Sequence, residues 1–441
     1  MEPMKLSFGV LMAYLNRAIL HMPDPRKASN GTKYTLKDAV LGAFSVFFMQ
    51  SESFLEHQRQ MESRHGKSNA QSLFGMINLP TVPQIRNIID RIPATALSQV
   101  FTEVYQALRR DGHLKRFKFL GGLLIALDGT QYFTSHNVHC EKCSSRTHKD
   151  GKVTYFHSAI LPVIVAPGES QVISLAPEFI TPQDGHEKQD CEVAAAKRWI
   201  TAHAADFIGE KITFLGDDLY SHQPMCEEII KSEMDFIFTC LPTSHAALYD
   251  WLEYLDNIGE VRTLEIESWN KSSKEIYKYR YVNNIPLRDT QPAIKVNWCE
   301  LIVTRKSDGK ILYENAFITS HKLNESSVAP VTEAGRCRWK TENENHNVLK
   351  TKGYHLEHNF GHGEEHLAAC LVTLNLLAFL FHTVLHLVDH AYQKIRQKRG
   401  TRKGFFQDIV SLTKYLLFED WQSLIDFMLD GFTPKQTANS S

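Results

Sequence analysis

The spacing of apolar residues changes along this chain, and the changes divide it. Up to about Arg116 apolar positions recur at helical intervals. Thr35 with Asp38 three residues on is a helix-start signal, and the apolar run 39–48 follows it. Residues 63–78 are more polar and read as a connector. Thr81, with Gln84 at the third position, caps a short helix through Ile85, Ile88 and Ile89 to Arg91, and Pro93 ends it. Leu97, Val100, Val104 and Leu108 mark one face of the next helix. Then the period shortens. Residues 123–127 form a continuous apolar run, as in a buried strand, ending in Asp128-Gly129-Thr130. Segments 158–166 and 171–180 are rich in strand formers, 187–205 has helical spacing, and 211–215 is a second buried strand ending in Gly216-Asp217-Asp218. From about Phe236 to Ser320 the texture is that of strands, with Lys306-Ser307-Asp308-Gly309 as a hairpin turn. Helical spacing returns over 332–350 and 364–398, and 405–429 holds two short amphipathic helices.

Length and composition narrow the class. A chain of 441 residues exceeds one ordinary core and predicts several domains. A hydrophobic share of 43% with 22% charged residues excludes a disordered or fibrous protein. The net charge of -1 counts against a nucleic-acid binder, although a multi-acid site can hide a basic face in the sum. Eight cysteines with a single close pair make no disulfide framework and fit a reducing cytoplasm. Residues 1–17 lack the pattern of a signal peptide. Residues 367–388 are apolar enough to suggest a membrane span, but Asn375, His382 and His386 would be costly in lipid, so a buried helix is expected.

Candidate chemistry lies in three acids. Asp128 and Asp217 each follow a buried strand, at the end where open α/β sheets place their sites. Glu342 falls on a helix, with Arg338 one turn before it and His346 one turn after, while Glu344 points about 160° away. Carboxylates are the hard oxygen ligands that hold two divalent ions about 3.5–4 Å apart around a phosphodiester. The competing reading of the helix alone is an exposed i,i+4 ion pair.

In order, Asp128-Gly129-Thr130, Asp217-Asp218-Leu219-Tyr220 and Arg338-Trp339-x-x-Glu342 resemble the DDE transposases of bacterial insertion sequences, in particular the insertion-sequence-four group. The segment 353–363 (Gly-Tyr-His-Leu-Glu-His-Asn-Phe-Gly-His-Gly), and Gln183-Asp184-Gly185 with Lys188-Gln189-Asp190, look like one of its subgroups. The resemblance runs from about Leu36 to Leu387. It implies an α/β fold: an RNase H-like catalytic core with a β-rich insertion, preceded by an all-helical N-terminal domain and followed by a helical tail. The expected division is a DNA-binding domain at 1–116, the core in two parts at 117–235 and 321–398, the insertion at 236–320 and the tail at 399–441. The implied activity is metal-dependent cleavage and strand transfer of element ends. Asp128, Asp217 and Glu342 would be catalytic and would hold two Mg²⁺ or Mn²⁺ ions. Arg338, Lys350 and Tyr220 would meet DNA, as would Arg86 and Arg91 on the helix begun by Thr81. The implied partners are double-stranded DNA, both terminal inverted repeats and target, and a second copy of the chain in the paired-end complex, with no membrane and a cytoplasmic, nucleoid-associated location. The tail aromatics Phe405, Phe406, Trp421 and Phe427 are expected at the dimer surface. Two positions depart from the family pattern: Gly335 stands where it has Tyr, and Leu349 where it has Lys, with Lys350 one later. The rival classes are another RNase H-like nuclease and a non-catalytic, domesticated DNA-binding protein.

Other groups carry weaker signals. Cys140-x-x-Cys143 near His136, His139, His148 and His157 offers two thiolates and two imidazoles for structural Zn²⁺, or else plain reduced thiols. His382, His386 and His390 share a helix face and are expected to be hydrogen-bonded core histidines. Trp339 is expected to anchor the acid-bearing helix in the core, and the basic run 394–403 to meet DNA phosphates or solvent.

Overall fold

The computed structural model describes residues 5–26, 33–61, 64–182, 190–270 and 273–431, apart from the side chains of 61–67. The N-terminal part is helical: α1 (Phe8–His21), α2 (Leu36–Phe48), α3 (Phe54–Met61), α4 (Arg64–Phe74), α5 (Val82–Ile89) and α6 (Ser98–Arg110). Thr35 and Asp38 form the full capping box that starts α2. The second oxygen of Asp38 accepts from the Ile77 and Asn78 N–H groups at 2.8 and 3.2 Å, which satisfies a buried carboxylate. Two readings of this region change. The polar connector is largely helix α4, whose Asn69 is fully buried. Thr81 stands at the start of α5 without a side-chain cap bond, and α5 ends at Ile89, so Arg91 lies beyond it.

The middle of the chain supplies β1 (Lys118–Phe119), β2 (Gly122–Ala126), β3 (Gly129–Ser135), β4 (Ser144–Thr147), β5 (Val153–Ile160), β6 (Val163–Val165), β7 (Ile173–Ser174) and β8 (Glu178–Ile180). Then come α7 (Glu192–His203), β9 (Ile212–Gly216), α8 (Gln223–Lys231), β10 (Asp235–Thr239), α9 (Ala246–Asn257), β11 (Arg262–Asn270), β12 (Ser273–Pro286), β13 (Lys295–Arg305) and β14 (Ile311–Thr319). One sheet runs in the order β11-β12-β13-β14-β10-β9-β2-β6-β7, with β1 also paired to β2. Strands β2, β9 and β10 are parallel neighbours, and their flanks on both sides are antiparallel. Every residue of β2 and β9 is buried, which explains their unbroken apolar sequence. A smaller sheet, β3-β5-β4 with β8 on β5, stands beside it. The strands between 262 and 319 extend the main sheet, because β14 pairs directly with β10. The strand reading of 236–320 missed α9, which buries Leu248 and Leu252.

The C-terminal third is helical again: α10 (Val328–Arg336), a π-helical segment (Thr341–His346), α11 (Asn347–Thr351), α12 (Leu367–Val388), α13 (His390–Arg399), α14 (Arg402–Tyr415) and α15 (Trp421–Asp430). The single long helix expected over 364–398 is two, broken at Asp389, whose side chain caps α13 by accepting from the Tyr392 N–H. Among the described residues α12 alone is long and apolar enough to cross a membrane, and 89% of its apolar window is buried within the chain. His382 stacks on Phe48 at 4.0 Å and donates from Nε2 to the Phe48 carbonyl at 2.9 Å. His390 sits on the next helix.

The tail does not present the aromatic surface expected of it. Phe405, Phe406 and Trp421 are buried, and only Phe427 is exposed. Trp421 packs on Phe8 at 4.9 Å and Phe48 at 5.0 Å. The Asn69 amide donates to the Thr413 and Leu416 carbonyls, each at 2.7 Å, and its oxygen accepts from the Phe418 N–H at 3.0 Å. Helices α1, α2 and α4 therefore share one core with α14 and α15.

Candidate functional site

Parallel pairing of β2 with β9 carries Asp128 and Asp217 to the same sheet edge. The ladder continues to Leu127, whose N–H donates to the Leu215 carbonyl at 2.8 Å, one residue short of Asp128. Asp217 accepts from the Leu219 N–H at 2.9 Å, which shapes the turn after β9. Asp218 is committed elsewhere, since it accepts from the Leu241 N–H at 2.7 Å and from the Ser244 hydroxyl.

A fourth carboxylate stands beside this pair, and the sequence reading missed it. Glu192, in the first turn of α7, accepts from the Gly129 N–H at 2.9 Å and from the Tyr220 hydroxyl at 2.7 Å. It thus ties the residue after Asp128 to the turn after Asp217. A Cβ at position 129 would meet the Glu192 carboxylate at 2.5 Å, so the Gly of Asp-Gly-Thr is needed for this approach. Tyr220 is fully buried and engaged by Glu192, which removes it as a residue that stacks on DNA. The one signal for Glu192 was an acid in a helix first turn beside Asp190; the motif residues 183–189 lie outside the described residues.

The helix bearing Glu342 is not regular. A turn at Cys337–Arg338 separates α10 from the π-helical stretch, where hydrogen bonds reach one residue further than in an α-helix. Arg338 still reaches Glu342, at 3.2 Å, and Glu342 remains exposed. His346 is buried, with Nδ1 at 3.6 Å from Asp128 Oδ2, longer than a hydrogen bond. Thr341 Oγ1, both amide atoms of Asn345 and His346 Nε2 are buried without a hydrogen-bond partner among the described residues. Such groups are rare in folded proteins, and π-turns concentrate at functional sites.

The anchor of this helix is Lys340, not Trp339. Trp339 is 47% exposed, whereas Lys340 is buried and its ammonium donates to the Ala166 carbonyl at 2.6 Å and to the Glu169 carbonyl. Gly335 packs against the sheet, where a Cβ would meet the Phe317 ring at 2.8 Å. That close contact leaves no room for a side chain at position 335.

Electrostatics single out Asp128. Burial pushes its pKa up to about 7; the Arg338 charge opposes this, and Glu192, Asp217 and Glu342 reinforce it. Burial also lowers His346 to about 4, so it is a neutral imidazole near neutral pH. The three acids are not drawn within 4.8 Å of one another as a ligand group; among the described residues one such group exists, and it is made of cysteine and histidine. Of the other expected contacts, Lys350 pairs with Glu357 at 2.8 Å. Arg91 is exposed, and Arg86 lies along Gly361 and over the Phe54 ring; both line an open groove of about 590 Å³.

Cys140, Cys143, His157 and His362 come together. His148, expected beside the cysteines, is exposed and instead meets the Thr154 hydroxyl at 2.7 Å. His362 replaces it from the loop before α12. Asp90 holds that loop by accepting from the Glu364, Glu365, His366 and Leu367 N–H groups at 2.9–3.0 Å. No family model matches this chain, and no curated protein does.

Proposed function

We propose that this chain is a DNA transposase that cuts and joins the ends of a mobile element through Asp128, Asp217 and Glu342 on an RNase H-like core. One observation carries the reading. Two acids, Asp128 and Asp217, follow adjacent parallel strands, a third, Glu342, lies on a helix behind a sheet insertion, and Asp217 and Glu342 both act on the charge of Asp128. The order β7-β6-β2-β9-β10, with three antiparallel strands followed by two parallel ones, supports an RNase H-like core. The continuation into β14–β11 supports an insertion ahead of the Glu342 helix.

The donor set suits a hard divalent cation. Asp128 is half-buried among like charges, a situation that an oxygen-seeking cation relieves. The residues that would hold Mg²⁺ or Mn²⁺ are Asp128, Asp217 and Glu342, with Glu192 bordering Asp128. When bound, two such ions supply a clamp for the attacking and leaving oxygens of the phosphodiester. Arg338 steadies Glu342 at 3.2 Å, and the neutral His346 borders Asp128 without competing for its charge. Arg91 is an exposed cation for DNA phosphate, and two copies of the chain would hold the two ends.

The test uses the full chain with DNA ending in the element's inverted repeats. Asp128→Ala, Asp217→Ala and Glu342→Ala each abolish Mg²⁺-dependent end cleavage and keep DNA binding; Glu344→Ala is mild. Cleavage of branched DNA without regard to the repeats would favour another RNase H-like nuclease. Binding with no cleavage by the wild-type chain would favour a non-catalytic DNA-binding protein.

A further inference from the structure

We infer that Cys140, Cys143, His157 and His362 bind one structural Zn²⁺ ion, which clamps the small sheet to the loop that leads into α12. The inference uses none of the acids above and stands whether or not the chain cuts DNA.

The distances have the size of a tetrahedral coordination sphere. Zinc bonds of about 2.3 Å to sulfur and about 2.05 Å to nitrogen place tetrahedral ligands about 3.8 Å (S–S), 3.6 Å (S–N) and 3.3 Å (N–N) apart. Here the two sulfurs are 3.9 Å apart. His157 Nε2 lies 3.7 Å from Cys140 Sγ and 3.4 Å from Cys143 Sγ. His362 Nε2 lies 3.3 Å from Cys143 Sγ and 3.1 Å from His157 Nε2. All four ligand atoms fall within 4.8 Å of one another. The sulfur separation is nearly twice that of a disulfide.

The surroundings are arranged for a metal. His362 Nδ1 donates to the Gly363 carbonyl at 2.7 Å, which fixes the tautomer whose Nε2 carries a lone pair toward the cluster. The Cys140 N–H donates to Cys143 Sγ at 3.5 Å, so one backbone donor faces that sulfur, and the Cys143 N–H closes the turn on the Cys140 carbonyl at 3.1 Å. Two imidazole Nε2 atoms thus face each other at 3.1 Å beside two sulfurs, an arrangement that a shared cation satisfies. Protein groups supply all four positions, which marks a closed structural site and not one that activates water. On binding, each thiol loses its proton to the buffer and both imidazoles remain neutral.

The ligands come from the turn after β3, from β5, and from a loop 205 residues beyond His157. Asp90 holds the same loop from the N-terminal helices. The ion therefore fastens the small sheet to the helical core.

The full chain, purified under reducing conditions without chelator, is expected to carry one equivalent of zinc by elemental analysis. Exchange for Co²⁺ should give the intense visible bands of a tetrahedral site and thiolate-to-cobalt charge transfer. Cys143→Ser and His362→Ala should lose most of the metal and the tetrahedral spectrum, while His148→Ala keeps both. If the ligand variants do not fold, the wild-type cobalt spectrum decides alone. A folded wild-type chain that holds no zinc, or takes Co²⁺ only with the weak bands of six oxygen ligands, overturns the site. Metal lost in His148→Ala and retained in His362→Ala overturns the ligand set.

Discussion

Asp128 is where the cost of the acidic site is concentrated. Folded Asp128 holds its proton up to about pH 7, against an ordinary value of 3.8. The folded state thus binds a proton that the unfolded chain has already released, and stability falls as pH rises through that window. The shift corresponds to at most about 4 kcal/mol above neutrality. Asp128→Asn removes this penalty. Urea unfolding at pH 8 should find the variant more stable than wild type by up to that amount, with the gain vanishing near pH 4. An equal difference at both values would show that Asp128 ionises normally. Glu192 holds its place by geometry: its bonds to Gly129 and Tyr220 join points 63 and 28 residues away. That distance is why it was illegible, whereas Asp128 and Asp217 could be read locally from the buried strands that precede them.

At the scale of elements, local signals served well where a few neighbouring residues decide the outcome. Thr35 and Asp38 cap a helix by themselves, and Asp308 with Gly309 at φ 68° turns a hairpin by itself. They failed where a distant partner decides. The polar run that includes Asn69 looked like a connector because its buried amide serves backbone more than 340 residues away. The π-turn was invisible because polar spacing does not distinguish it from a regular helix, and Trp339 was misassigned as the buried residue for the same reason. Lys340 is the critical contact of this element. Lys340→Met would leave the Ala166 and Glu169 carbonyls without their donor, a loss of about 2–4 kcal/mol. Chemical denaturation should register it, and hydrogen exchange should show faster opening of 337–346 than of β2. Unchanged protection there would mean that the sheet alone positions Glu342.

Across the whole molecule, the sharing of one core by both termini changes what truncation does. Removing residues after Arg402 strips Phe405, Phe406 and Trp421 from their partners, including Phe8 and Phe48. It also leaves the buried Asn69 amide unpaired. The shortened chain is expected to unfold cooperatively at lower temperature and to aggregate. A monomeric truncated chain with wild-type melting behaviour would show the tail to be dispensable for folding. For the same reason, a fragment ending near Arg116 is a poor vehicle for assigning DNA contacts, since α2 packs on α12 through Phe44 and Phe381.

The joined termini also set a schedule for synthesis. Helices α1 and α2 leave the ribosome more than 300 residues before their partners Phe381, His382 and Trp421. At about 5–20 residues per second, Phe44 and Phe48 wait on the order of half a minute for these partners. During that interval the nascent chain displays the apolar surface that chaperones bind. Synthesis must therefore reach Trp421 before this core can close around Phe8 and Phe48.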